Sequence, residues 1–184
     1  MPPSPTELLQ DLARPEAYPA PRPTTVSVMT THISWVFVTD HEVWKLKRPV
    51  DYGFVDYSTL DRRRHFCHEE IRVNRRLAPD VYLGVMPVRL KGGRYSFGST
   101  GAVVDYAVRM RRLPDSASAE GLLRCGALTH EHLACLAGRL TAFYATSASG
   151  SNGRSLDVLR ANVQENFDQV RAFIGRFVEA DTLE

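Results

Sequence analysis

Residues 31–74 read THISWVFVTD HEVWKLKRPV DYGFVDYSTL DRRRHFCHEE IRVN, and the fold turns on how this stretch is parsed. Trp35-Val36-Phe37-Val38 and Val43-Trp44 are β-branched and aromatic, as half-buried strands require. Thr39-Asp40-His41 interrupts them as a turn, so 35–38 and 42–47 are predicted to form a hairpin. Pro49 and Gly53 then break regular structure, and a helix is predicted over 59–78. Ser58 or Thr59 caps it, Asp61 lies in its first turn and Pro79 ends it.

Lys45 is the first residue here with chemical content. Strand alternation puts it on the same face as Val43, and a lysine sharing a face with core residues needs a negative partner. The following helix offers one. With Cys67 at 0° and ~100° per residue, Glu70 falls near ~300° and Ile71 near ~40°, inside the apolar arc. Glu69 falls near ~200°, among Arg62, Arg72 and Arg76 on the polar side. Glu70 is therefore the carboxylate directed at the sheet. A strand lysine meeting a helix glutamate is the phosphate-gripping device of kinase-like small lobes.

Outward from this centre, a further strand is expected near Val26–Val28, and others over Val81–Val88, Tyr95–Phe97 and Ala102–Met110. Helical material begins at Asp115 and Ser116 and stops at Gly126. Helices follow over 130–145, capped by Thr129, and over about 156–178. The last carries an apolar stripe of Leu156, Leu159, Val163, Phe167, Val170, Ile174 and Phe177, which calls for a covering surface. Residues 147–152 are expected to be a loop. A run of strands followed by a run of helices argues an α+β fold. The expected organisation is a proline-rich arm with a short helix over 1–23, a sheet-bearing lobe over 24–114 and a partial helical lobe over 115–184.

Composition narrows the function classes. The chain has 184 residues, 43% of them hydrophobic and 24% charged, which is ordinary for a globular domain and excludes whole-chain disorder. No apolar run approaches the ~18–20 residues of a membrane span, and the proline-dense N-terminus does not resemble a secretory signal. Three widely spaced cysteines, Cys67, Cys125 and Cys135, with no CxxC pair, argue against a disulfide framework or a four-cysteine zinc site, and a reducing cytoplasm is the expected compartment. Cys67 points away from His65 on the helix, so His65, Cys67, His68 and Glu69 do not converge on a metal; all three cysteines are expected to be structural. Net charge is +2, but residues 41–112 hold 15 Lys and Arg against 8 Asp and Glu, so the middle of the chain attracts anions. The runs Arg62-Arg63-Arg64 and Arg75-Arg76 lack interleaved aromatic platforms and read as a solvated helix face, not as a nucleic-acid surface.

These blocks, together with YAVRMRRLP at 106–114, closely resemble the N-terminal part of bacterial proteins of the aminoglycoside phosphotransferase-like family. The match is to the subgroup often fused to a P-loop kinase domain. It extends over about residues 6–178 and is dense from Thr31 to Pro114. It implies a protein-kinase-like small lobe followed by the first helices of a large lobe. It further implies an ATP-dependent phosphotransferase acting on a hydroxyl acceptor, with ATP and Mg²⁺ as cofactors. On this resemblance Lys45 would contact the α/β-phosphates and Glu70 would hold Lys45. The loop His32-Ile33-Ser34 would occupy the place of the glycine-rich loop, and Met110-Arg111-Arg112-Leu113 would form the hinge facing adenine. Trp35, Val43 and Leu113 would line the adenine pocket.

The sequence departs from the family pattern in having no His-x-Asp catalytic loop and no GxxxxGK[ST] motif. Asp51-Tyr52-Gly53 imitates a metal-binding DFG triplet but precedes the helix, where that role is impossible. The resemblance places the catalytic loop and the Mg²⁺ ligands beyond Glu184, so the chain is expected to be a fragment without activity of its own, whose partners are the nucleotide, an unidentified small-molecule acceptor, and the remaining large lobe or a second copy of itself. The alternatives are a non-catalytic nucleotide-binding or regulatory module and a basic nucleic-acid binder.

Overall fold

The computed structural model describes residues 5–147 and 155–171. Six antiparallel strands form one sheet: β1 (Val26–Thr30), β2 (Ser34–Thr39), β3 (Glu42–Lys47), β4 (Tyr82–Lys91), β5 (Arg94–Ser96) and β6 (Ala102–Arg111), in the spatial order β1-β2-β3-β6-β4-β5. Helices are α1 (Pro5–Leu12), α2 (Leu60–Asn74), α3 (Ala119–Arg124), α4 (His130–Thr146) and α5 (Ser155–Arg171). The α+β class expected from the element order is the one observed.

The period-two alternation sorts the sheet into two faces. Trp35, Phe37, Trp44, Leu46, Val88 and Ala107 point to one face, where they bury against Leu8 and Leu12 of α1 and against Ala17, Tyr18, Tyr95 and Phe97. Trp44 and Phe97 pack as tilted rings with centroids 4.3 Å apart, and Tyr18 meets Trp44 edge-on at 5.4 Å. The short helix expected in the N-terminal stretch is present as α1, and together with Ala17 and Tyr18 of the expected arm it is a structural part of the core. Leu8 and Leu12 are one helical turn apart and share a face, and the Tyr18 hydroxyl donates to the Leu12 carbonyl at 2.9 Å. Asp11 ties the same helix to β5 by accepting from the Tyr95 N–H at 2.9 Å.

The opposite face carries α2. Thr59 caps this helix by accepting from the Arg62 N–H, and Cys67 and Ile71 pack on Val108, Val85, Tyr106, Tyr82 and Met110. The helix ends at Asn74, four residues before the expected limit; the chain continues as hydrogen-bonded turns to Ala78. Past the sheet, Asp115–Ala117 form a 3-10 turn, and Gly126, with φ of +69°, ends the segment after α3.

Contacts divide the chain into Met1–Phe143 and Tyr144–Glu184. Within the first unit, Leu123, Leu133 and Leu136 are exposed. Within the second, Leu156, Leu159, Val163 and Phe167 of the predicted apolar stripe are exposed too. Ile174 and Phe177, the helix beyond Arg171 and most of the expected 147–152 loop lie outside the described residues. No helix among the described residues is long and apolar enough to cross a membrane.

Candidate functional site

The register across β2, β3 and β6 sets Val36 opposite Lys45 and Lys45 opposite Val108. Directly opposed residues share a face, so Lys45 points to the α2 side, as its alternation with Val43 requires. Glu70 comes down from α2 to meet it, with Lys45 Nζ 3.0 Å from Glu70 Oε1. The strand-to-helix ion pair read from the sequence is present.

The carboxylate has a second partner that sequence reasoning missed. Lys47 Nζ lies 2.8 Å from Glu70 Oε2. The two lysines differ in surroundings, with side-chain exposures of 30% for Lys45 and 4% for Lys47. The Lys47 ammonium also sits 4.8 Å from the centroid of the Tyr57 ring. Burial alone would lower the Lys47 pKa, but the hydrogen bond and charge of Glu70 outweigh it and leave the ammonium above its ordinary value. Burial likewise pushes Glu70 up, and the two lysines, Lys47 foremost, bring it below its ordinary value. The signal for Lys47 was available: it is two residues beyond Lys45 and shares its face.

A second ion pair fixes α2 on the sheet. Arg63 Nε donates to Asp105 Oδ1 at 2.9 Å, with side-chain exposures of 6% and 2%. Its Nη1 donates to the carbonyls of Tyr57 at 3.1 Å and Ser58 at 3.3 Å. Burial raises the Asp105 pKa, while Arg63 and the Tyr106 N–H pull against it. Arg63 therefore does not belong to a solvated face. It lies four residues before Cys67, on the same side of the helix, hidden within a run of three arginines. Arg62 pairs with Asp56, Arg72 with Glu69, and Arg75 donates to the Tyr82 and Leu83 carbonyls. These cations are occupied within the protein.

The other candidate positions surround this centre unevenly. His32 lies in the exposed turn between β1 and β2, where its carbonyl accepts from Arg48 Nη1 at 2.9 Å. Thr31 closes the same turn, its Oγ1 accepting from the Ser34 N–H at 3.0 Å. Ser34 is buried and stands opposite Lys47, with its hydroxyl unpartnered. Met110 is half-buried at the end of β6, opposite Val43. Arg112 makes an internal clasp: its N–H donates to the His41 carbonyl at 2.8 Å and its Nη1 to the Thr39 carbonyl at 3.0 Å. Leu113 follows it, exposed.

Trp35 is the misplaced candidate. It pairs with Leu46, one residue out of phase with Lys45, so it faces the opposite core and cannot line a pocket beside Lys45. The apolar groups that share the Lys45 face include Val36, Val38, Val43 and Met110, all half-buried, the buried Val108 and the exposed Met29.

Cys67 is fully buried on the sheet-facing side of α2, as expected, and burial pushes its thiol up to about 12. Cys125 and Cys135 are exposed, contrary to the structural role expected of them. Among the described residues no group of three or more His, Cys, Asp or Glu could hold a metal ion. Asp51-Tyr52-Gly53 is a surface turn in which Asp51 Oδ1 accepts from the Gly53 N–H, and Gly53 takes φ of +80°.

No family model matches the chain, and no solved structure matches it. It is similar to uncharacterized proteins from two strains of Mycobacterium tuberculosis and from Mycobacterium bovis. Each is 26% identical to it over 129 residues, which is 70% of this chain and 24% of the relative. The chain thus spans about a quarter of the length of the curated relatives it matches.

Proposed function

We propose that the sheet and α2 form a kinase-like small lobe that grips a nucleotide, ATP with Mg²⁺, for phosphoryl transfer to a hydroxyl acceptor. The observation that carries this reading is the Lys45–Glu70 pair. A partly exposed ammonium is held by a helix carboxylate on a sheet face whose neighbours, Val36, Val38, Val43 and Met110, are apolar. A lysine so fixed can neutralise phosphate oxygens, while the apolar strip offers a surface to a base. His32 and Ser34 bracket the turn that would cover the phosphates, and residues 110–113 would follow the edge of the base. Because the Arg112 N–H already serves the His41 carbonyl and Met110 lies within the ladder between Val43 and Tyr82, the hinge contact to a base edge falls to Leu113. The resemblance to aminoglycoside phosphotransferase-like proteins supports the same reading.

The residues described here bind and orient. The chain has no His-x-Asp, so the base and the metal-holding aspartates of such chemistry are not supplied by that motif within these 184 residues. The same fact favours a second reading, a nucleotide-binding module without chemistry of its own. Phosphate release from ATP by the purified chain, above background, would rule that second reading out. The alternative of a basic nucleic-acid binder draws less support, because Arg62 pairs with Asp56, Arg63 with Asp105, and Arg75 donates to two carbonyls.

An ATP-derived acyl phosphate, which transfers its acyl group to a lysine beside the bound phosphates, tests the leading reading. Peptide mapping is expected to find the label on Lys45 and to find it suppressed by excess MgATP. Of the chain's three lysines, Lys47 is buried, so labelling of the exposed Lys91 to the same extent as Lys45, indifferent to ATP, would reject the reading.

A further inference from the structure

Glu70 is shared, and the sharing is unequal. Two ammonium groups meet one carboxylate, one on each oxygen, so the cluster holds a surplus positive charge. The titratable neighbours do not cancel it. Cys67 is held protonated by burial, Asp105 is matched by Arg63, Tyr82 is likewise pushed toward its protonated form, and Tyr57 offers Lys47 its ring. Lys47 cannot leave: a buried ammonium without a counter-ion is heavily penalised. Lys45 can leave, because about a third of its side chain already meets solvent.

We propose that Lys47 is a positioning residue, the standing counter-ion of Glu70, which frees the Lys45 ammonium to be drawn onto a polyanionic ligand. With Lys45 alone, Glu70 would compete with the phosphates for that ammonium and, once it left, repel them as a bare carboxylate. With Lys47 in place, Glu70 stays neutralised throughout and Lys45 brings an uncommitted charge to the ligand. This rests on the nucleotide reading above and adds a division of labour between the two lysines.

The test uses the whole 184-residue chain and two readouts. The first needs no nucleotide: the Glu70 side-chain carboxyl is followed by ¹³C NMR against pH, its signal assigned by its loss in Glu70→Gln. Lys47→Met is expected to raise the Glu70 midpoint more than Lys45→Met does, and Lys47→Arg is expected to leave it near wild type. The second is MgATP affinity: Lys47→Met is expected to lose tenfold or more, with Lys47→Arg recovering most of the loss, whereas Lys45→Met loses binding altogether. A Glu70 midpoint that responds more to Lys45→Met, or wild-type MgATP affinity in Lys47→Met, overturns the proposal. If the wild-type chain does not bind MgATP, the nucleotide reading fails, and the Glu70 titration alone decides whether Lys47 is the counter-ion. Should Lys47→Met fail to fold, Lys47→Gln, which keeps a donor but not the charge, carries the same comparison.

Discussion

Replacing Asp105 with alanine strands the Arg63 guanidinium in the interior. In the native protein Arg63 Nε has Asp105 Oδ1 at 2.9 Å, and both side chains are more than nine-tenths buried. Removing one member of a buried ion pair costs about 3–5 kcal/mol, because the survivor stays buried and uncompensated. Arg63 keeps the Tyr57 and Ser58 carbonyls, so the lower end of that range applies, about 3 kcal/mol. The unit Met1–Phe143, at an unfolding entropy of about 2.1 cal/mol/K per residue, loses about 3 °C per kcal/mol, so the melting temperature is expected to fall by about 10 °C. The double variant Arg63→Met, Asp105→Leu removes both charges and is expected to recover most of the loss. The assay is urea and thermal unfolding, followed by circular dichroism, of Asp105→Ala and of the double-mutant cycle made by Arg63→Met, Asp105→Leu and their double variant. A loss under about 1 kcal/mol for Asp105→Ala, or strictly additive losses in the double variant, would refute the claim that this pair pins α2 to β6.

Two further outcomes follow from the same geometry. Glu70 has a folded pKa below its unfolded value, so its stabilisation is complete above about pH 4.3 and is lost as pH falls through the folded value; Lys47, raised on folding, loses its contribution as pH climbs past about 10.4. Glu70→Gln is therefore expected to flatten the urea midpoint against pH at both ends, and an unchanged profile would contradict the shared pairing. Of the three thiols, Cys125 and Cys135 are expected to react with Ellman's reagent in the native protein at pH 8, while Cys67 reacts only on unfolding; three fast equivalents would place Cys67 outside the core.

The legible parts of the sequence were those governed by one period. Alternation along 42–47 placed Lys45 beside Val43, and the helical angle placed Glu70 inward. The misreadings came where a stronger local signal covered a weaker one. The proline density of 1–23 suggests an arm around one short helix; the helix is there, but Leu8, Leu12 and Tyr18 pack beneath the sheet, a tertiary contact that no local pattern announces. The triple arginine looked like solvated surface, while its middle member is buried by a partner 42 residues away. Trp35 was assigned to the wrong face, although its own alternation with Val36 opposes it to Leu46. Lys47 ends the predicted strand beside Arg48 and Pro49, and nothing local tells it from a solvated lysine, while the fold buries it on Glu70. Cys125 and Cys135 were taken for packed residues, but α3 and α4 leave them exposed.

The account stands or falls on whether the Lys45 ammonium is a phosphate grip. Calorimetric titration of the chain with MgATP, wild type against Lys45→Ala, measures this directly. A binding isotherm for wild type and its disappearance in a variant that melts at the same temperature is the outcome expected; equal affinity in the two proteins, or no binding by wild type, would contradict it.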